Sequence, residues 1–187
     1  MTSFTGRTLP RLTAWLLVFG LTLAVGQIAA TSAQKPLFDT PVYHAPSKSY
    51  FALIDMEGYH RNWAHAAARA AKRSYRGTRG HLAVIDSPEL HEFLRITFRP
   101  NRPTWIGLRY FCGYGKSQWV TGKVMKKGDY KIWNRPWNRS GNTSGTCSGS
   151  GYLPIYYTAV NRGFRWAAQG PAKNWHYYFI QYPTGEE

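Results

Sequence analysis

The sequence predicts an α+β domain built on a mainly antiparallel sheet. Three observations carry that expectation. Helical periodicities fall in the first half of the chain, strand-like runs close the second half, and no repeating β–α–β pattern or internal repeat links them. With 187 residues the chain suits one domain.

The elements follow in order. After a Pro-containing leader from Lys35 to Ser47, SYFALI reads as an apolar, aromatic-rich strand. Asn62 is a suitable N-cap for WAHAAARAAKRSY. Trp63, Ala66, Ala67, Ala70 and Ala71 recur at helical spacing and share one face, and the alanines let that face lie close against a sheet. Gly77 or Gly80 is the expected stop. HLAVI follows as a short buried strand. Ser87-Pro88-Glu89 then opens a second helix with a capping hydroxyl, proline at the first helical position and an acid in the first turn. Leu90, Phe93 and Leu94 give it an inner face, and Pro100 and Pro103 stop it. TWIGL is the next strand, with Gly107 where a side chain would obstruct packing. From Arg109 to Gly151 the chain is rich in Gly, Ser, Asn, Lys and Trp and reads as long loops, a segment type that is usually functional. YLPIYYTAV and WHYYFIQY read as two closing strands in which alternation places about half of the tyrosines inside.

The N-terminal 33 residues read differently. Arg7 and Arg11 precede an apolar run from Leu12 to Val25, and the sequence then turns small through Ala29, Ala30, Thr31, Ser32 and Ala33. That order predicts a secretory signal over 1–33, cut after Ala33 or Ala30, ahead of a domain over 34–187. An uncleaved anchor is the competing reading, because the run to Ala30 is long enough to cross a bilayer. The expected location is secreted or periplasmic, with no stable membrane insertion once the signal is removed.

Net charge is +15. Between Phe93 and Gly185 the only carboxylate is Asp129, against fourteen Lys and Arg. Such a field attracts acidic glycans, phosphate-bearing polymers, nucleic acid or an anionic bilayer, and it equally describes the solubilising surface of a basic secreted protein. The two cysteines, Cys112 and Cys147, form an even pair in an oxidising compartment and are expected to be bridged, with a stabilisation of roughly 3–4 kcal/mol. The six histidines show no metal-ligand spacing and take a surface role by default. No nucleophile–base pair or paired carboxylates stand out, so the chain reads as a binding protein, not an enzyme, without a cofactor.

Taken together, these pieces resemble the C-type lectin-like domain. The resemblance runs through SYF, Trp63 with the alanine helix, GHLAVIDSPELHEFL, WIGL, Trp119-Val120-Thr121-Gly122, Trp133 with Pro136, Trp166 and YYFIQY. It implies two helices flanking a sheet whose first and last strands pair, and a long loop region that carries ligand binding. The departures are specific. The cysteines that tie the family's first helix to its last strand are replaced by what read as Ala71 and Gln181. Those of the second bridge are replaced near Tyr157 and Pro171, which leaves a core held by aromatics. At the family's calcium triplet stands Arg135-Pro136-Trp137, and Ala167-Ala168 replaces its Asn-Asp pair. A calcium ion needs six to eight oxygens, so no calcium is expected.

The resemblance places Trp137 where a metal ligand would face solvent. With Arg135, Asn138 and Arg139 it makes a cationic, aromatic surface suited to stacking on a sugar and clamping an anion; the alternative is that it packs under the loop. Arg162, Arg165, Lys173 and Asn174 are expected to border that surface, with Trp133 and Trp166 packed. Asn138 and Asn142 each begin a glycosylation acceptor triplet. The function implied is calcium-independent binding of an anionic glycan, a cell-envelope polymer or a partner protein. Nonspecific polyanion binding through charge, and a structural surface-assembly role, are the alternatives. No specific nucleic-acid partner is expected, and the oligomeric state is left open.

Overall fold

The computed structural model describes residues 1, 35–58, 60–134, 147 and 151–187. The chain divides into two units, Met1–Ala33 and Gln34–Glu187, and every element below belongs to the second. Its strands and helices run in chain order as β1 Val42–His44, β2 Ser49–Asp55, α1 Trp63–Lys72, β3 Ser74–Tyr75, β4 Thr78–Arg79, β5 His81–Leu82, α2 Pro88–Phe98, β6 Thr104–Phe111, β7 Lys116–Trp119, β8 Tyr152–Tyr157, β9 Trp166–Ala168 and β10 Tyr177–Tyr182. The α+β class is as expected. No helix among the described residues is long and apolar enough to cross a membrane.

Local chemistry explains both helices. Asn62 caps α1, its Oδ1 accepting from the His65 backbone N–H at 3.0 Å. Trp63, Ala66 and Ala70 are buried, Ala67 is half-buried and Ala71 faces out. The Trp63 indole N–H donates to the Ile106 carbonyl at 2.7 Å, which satisfies its one polar atom inside the core. The helix does not run to a glycine. It ends at Lys72 because Arg73 turns extended, at φ −85° and ψ 146°. Gly77 instead turns the β3–β4 hairpin, where Arg76 and Gly77 both take positive φ, as a tight two-residue turn requires. Ser87 caps α2 through its Oγ, and Arg99 closes the helix in the left-handed region.

The main sheet has the order β1-β2-β10-β6-β8-β9, with β5 also on β10 and β7 also on β6. Every pairing is antiparallel except β10 with β6. Its register sets Tyr50 opposite Tyr182 and Asp55 opposite Tyr177, so the early strand and the closing strand pair as the resemblance implies. Two cores result. One lies against α2 and gathers Leu90, Leu94, Phe98, Tyr157, Phe164, Trp166 and Phe179. The other lies against α1 and gathers Trp63, Ala66, Ala70, Trp105, Tyr178, Ile180 and Tyr182. Because β10 runs between them, Tyr177, Tyr178 and Tyr182 are all buried, more than simple alternation suggests.

The positions read as cysteine-substituted, Ala71 and Gln181, do not meet in the core. Ala71 is exposed, and Gln181 is turned from α1, accepting from the Val84 N–H and donating to the Ser49 hydroxyl. Their chain neighbours Ala70 and Ile180 both belong to the α1 core. Neither is a cysteine, and aromatic packing holds the core, with Tyr157 stacked on Phe164 at 3.9 Å. The region after Arg109 is also less loop-like than its composition suggests. It completes β6, forms β7 and buries Trp119. Short strands that bury one large side chain among glycines and lysines leave little periodic signal.

Candidate functional site

The site is built where β6 and β7 form a hairpin beside the stretch from Met125 to Asn134. Tyr110 lies opposite Ser117 in that hairpin. The Met125 N–H donates to the Ser117 carbonyl at 2.8 Å, so the next segment is laid along β7. Asp129 then ties a turn, its Oδ2 accepting from the Lys126 N–H at 2.9 Å. Beyond it the chain is fastened to β9: the Trp166 N–H donates to the Ile132 carbonyl, the Asn134 N–H donates to the Trp166 carbonyl, both at 2.8 Å, and Trp133 bridges Trp166. The half-buried Trp133 ring meets Trp166 edge-on at 5.5 Å.

Between these two walls lies a cleft of about 390 Å³. Tyr110 and the 115–117 turn form one side; Met125, Lys126, Lys127, Lys131 and Trp133 form the other. Lys116 joins from the hairpin, so among the described residues four ammonium groups and no carboxylate line it. All four lysines are exposed. Lys131 Nζ donates to the Lys127 carbonyl, which anchors one of them over the turn. Sequence reading counted these lysines only as part of the basic field. The signal that singles out three of them is the run KKGDYKIW, a basic turn closed by its own aspartate.

The sequence-based site residues fall in three groups. Arg135, Trp137, Asn138 and Arg139 lie outside the described residues, as does Asn142. Lys173 and Asn174 sit by the α1 core, the Lys173 ammonium 4.8 Å over the Trp175 ring and Asn174 Oδ1 accepting from the Arg61 N–H at 2.9 Å. Asn174 is therefore engaged in holding the entry to α1. Arg165 is exposed on the opposite, α2 side of the sheet, where its charge acts on His91 and Tyr130. Arg162 ends a short 3-10 turn within electrostatic reach of Tyr156. The structure thus separates Arg165 from Lys173 instead of joining them on one face.

Cys112 and Cys147 are bonded, with Cα atoms 5.7 Å apart, so the bridge expected from the even pair is present at the end of β6. Trp166 is fully buried, as expected. Two histidines depart from the surface role. His44 is buried with Nδ1 2.9 Å from the Ser47 hydroxyl, and His91 is buried with Nδ1 3.0 Å from the Tyr157 hydroxyl. Burial holds both below the ordinary imidazole value.

Among the described residues, the place of the family's Asn-Asp pair supplies no side-chain oxygen for calcium. Ala167 and Ala168 offer no side-chain oxygen, Ala168 is buried, and Asp129 is already accepting from its own turn. Among the described residues no three His, Cys, Asp or Glu side chains group closely enough to hold a metal.

Comparison with known proteins decides the family. The Lectin C-type domain matches residues 59–175. The chain belongs to the C-type lectin domain family. A relative in the chimpanzee, Pan troglodytes, described as C-type lectin domain family 4 member M, is 35% identical over 80 residues, which are 42% of this chain and 17% of that protein. This C-type lectin chain therefore matches about a sixth of that relative's length. Among solved structures, the cow C-type carbohydrate-recognition domain of CD23, crystallised in the presence of GlcNAc2Man3 oligosaccharide, superposes with TM-score 0.55 at 19% identity, covering 79% of this chain and 96% of that one. The human scavenger receptor C-type lectin carbohydrate-recognition domain gives TM-score 0.55 at 14% identity, covering 75% and 94%. At those identities the likeness is one of fold.

Proposed function

We propose that this C-type lectin domain is a secreted binding module that holds an anionic glycan through its long loop region without calcium. The observation that carries this reading is the chemistry of the loop side. Lysines and aromatic rings stand around the cleft, and alanines stand in β9 where a calcium-dependent site would need oxygens. Fixed positive charge supplies the attraction that a bound cation supplies elsewhere in the family. The relation to a fold neighbour crystallised with an oligosaccharide supports a sugar-bearing ligand over a bare ion.

Within this proposal, residues 1–33 are a cleaved leader. Trp137 stacks on a sugar ring, Arg135 and Arg139 pair with anionic groups, and Asn138 orients hydroxyls. The chain acts by binding and carries out no reaction.

A glycan array probed with the full chain tests it. Binding to acidic glycans is expected to be equal in calcium and in EDTA, and weaker in Trp137→Ala than in Lys72→Ala. Binding that appears only with calcium overturns the reading. Equal weakening in the two variants, with indifference to ligand type and a steep fall with salt, assigns the interaction to bulk charge. The N-terminal sequence of the exported protein tests the leader, which fails if residues 1–33 are retained.

A further inference from the structure

We infer that Arg109, held among the rings of Trp63, Phe111 and Tyr152, is a binding seat for the carboxylate of an acidic sugar. The inference rests on the glycan-binding reading and adds to it a contact on the α1 side of β6, with a stated ligand chemistry.

The aromatic cage comes first. The guanidinium carbon lies 4.7 Å from the centre of the Trp63 ring, 4.9 Å from that of Phe111 and 5.3 Å from that of Tyr152. The rings are themselves held. The Trp63 indole is buried and donates to the Ile106 carbonyl, and Tyr152 meets Trp63 edge-on at 5.9 Å. Phe111 lies opposite Tyr152 in the β6–β8 pairing, with their ring centres 6.2 Å apart. Attraction to the ring faces fixes the cation in place without using up its N–H groups. Little rotamer freedom is then left to lose when a ligand binds.

The unmet donors are the second argument. Arg109 Nε is buried without a hydrogen-bond partner, and no ion pair among the described residues includes this side chain. In the same half of the chain Asp129 is the only carboxylate between Phe93 and Gly185, and it accepts from the Lys126 N–H in its own turn. A partly desolvated cation with donors unmet is unfavourable, and an anion arriving at its open end removes that penalty. Arg109, Phe111 and Tyr152 are each half-buried, so the open end is set in apolar surroundings. There a singly charged group gives up less hydration than a doubly charged one, and a planar group meets the guanidinium fork with two parallel bonds. A carboxylate satisfies both conditions. Phe111 and Tyr152 flank it with ring surface suited to the apolar face of a sugar. The seat also adjoins the long loop, because Cys112 directly follows β6 and is bonded to Cys147.

The test is calorimetric titration of the full chain, in EDTA, with a disaccharide of galacturonic acid, its methyl ester, and the sulfated and phosphorylated forms of the corresponding neutral disaccharide. The acid is expected to bind about tenfold more tightly than its methyl ester, the effect of one charge-assisted pair, and more tightly than the sulfated or phosphorylated form. Arg109→Met keeps the apolar stem and removes the charge, and should bring the acid to within about twofold of the ester. Arg109→Lys keeps a charge over the rings but loses the fork, and should reduce the preference part of the way. Arg79→Met, which removes an exposed charge elsewhere, should leave the preference intact. Thermal melts establish that each variant is folded. An Arg109 that only supports the fold would weaken acid and ester alike when replaced, and that result overturns the inference. So does a parent chain that binds acid and ester equally, or that prefers the sulfated or phosphorylated form. If the acid binds in EDTA and both Arg109 variants keep the full acid preference, the Arg109 seat fails and the calcium-independent reading stands. If sugar binding requires calcium, that reading fails instead, and the same acid-to-ester ratios measured in calcium judge the seat.

Discussion

Gly107→Ala is the sharpest test of how the site is positioned. A methyl group at residue 107 would stand 2.6 Å from the Leu82 carbonyl oxygen, 2.9 Å from a Val120 methyl and 3.0 Å from the Ala83 carbonyl oxygen. The valine can rotate, but two of the three obstacles are backbone. To restore ordinary contact at 3.4 Å, the Leu82 carbonyl must retreat by about 0.8 Å. That movement pulls apart the bond from the Gly107 N–H to the Ala83 carbonyl, now 2.9 Å long. Overpacking of a core site costs about 1–3 kcal/mol and a buried backbone bond left unmade about 1–3 kcal/mol more. The expected loss is therefore about 2–6 kcal/mol. At roughly 2–4 °C per kcal/mol for a domain of this size, the melting temperature falls by about 4–24 °C. Urea unfolding followed by tryptophan fluorescence measures it directly. Gly113→Ala is the control, because nothing lies within 4 Å of its added methyl and its φ is not positive. That change should fall within about 0.5 kcal/mol of the parent. A Gly107→Ala protein as stable as the control refutes the reasoning and shows that β5 and β6 are not locked together at this point.

Three further outcomes follow from the same structure. Reducing the bond between Cys112 and Cys147, which are 35 residues apart, is expected to cost about 3–4 kcal/mol by loop-closure entropy, read as a lower melting temperature in reductant. Ser87→Ala removes the hydroxyl that caps α2 and should cost about 1 kcal/mol in a urea titration. The buried histidines should make stability fall in mild acid. Burial lowers His91, Arg95 and Arg165 lower it further and Glu92 opposes them; burial likewise lowers His44 against Glu89. The unfolded chain then binds more protons, so stability is full above about 6.5, the ordinary imidazole value, and is lost as the pH falls through the folded values. Urea midpoints at pH 7.5 and 5.0 should show this slope, and His91→Gln should flatten part of it.

The fold was legible wherever one residue type has one physical use. Asn62 and Ser87 announce helix starts because their side chains reach the first free N–H groups, and Gly107 announces a close crossing because nothing larger fits. The stop of α1 was not legible. Gly77 looks like a helix cap in sequence, yet the same positive φ serves a hairpin turn. The site divides in the same way. The missing calcium oxygens can be read from Ala167-Ala168, but the cleft depends on a β-bridge from Trp133 to Trp166 and on a hairpin from Tyr110 to Ser117, pairings that no local pattern encodes. Lys173 and Arg165 illustrate the reverse. They lie eight residues apart in a basic stretch, and the sheet sends them to opposite faces.

The position of β10 has a consequence for how this domain comes into being. The last strand in chain order is also an interior one, with β2 on one side and β6 on the other. Until Tyr177–Tyr182 has been synthesised, the earlier strands form two separate ribbons with unsatisfied edges facing a gap. Joining them brings Tyr182 to Tyr50 across most of the domain's length, a contact whose loop must close before any gain arrives. Assembly should thus be slow and concerted, and a chain cut ahead of residue 177 would not lose an edge; it would come apart in the middle.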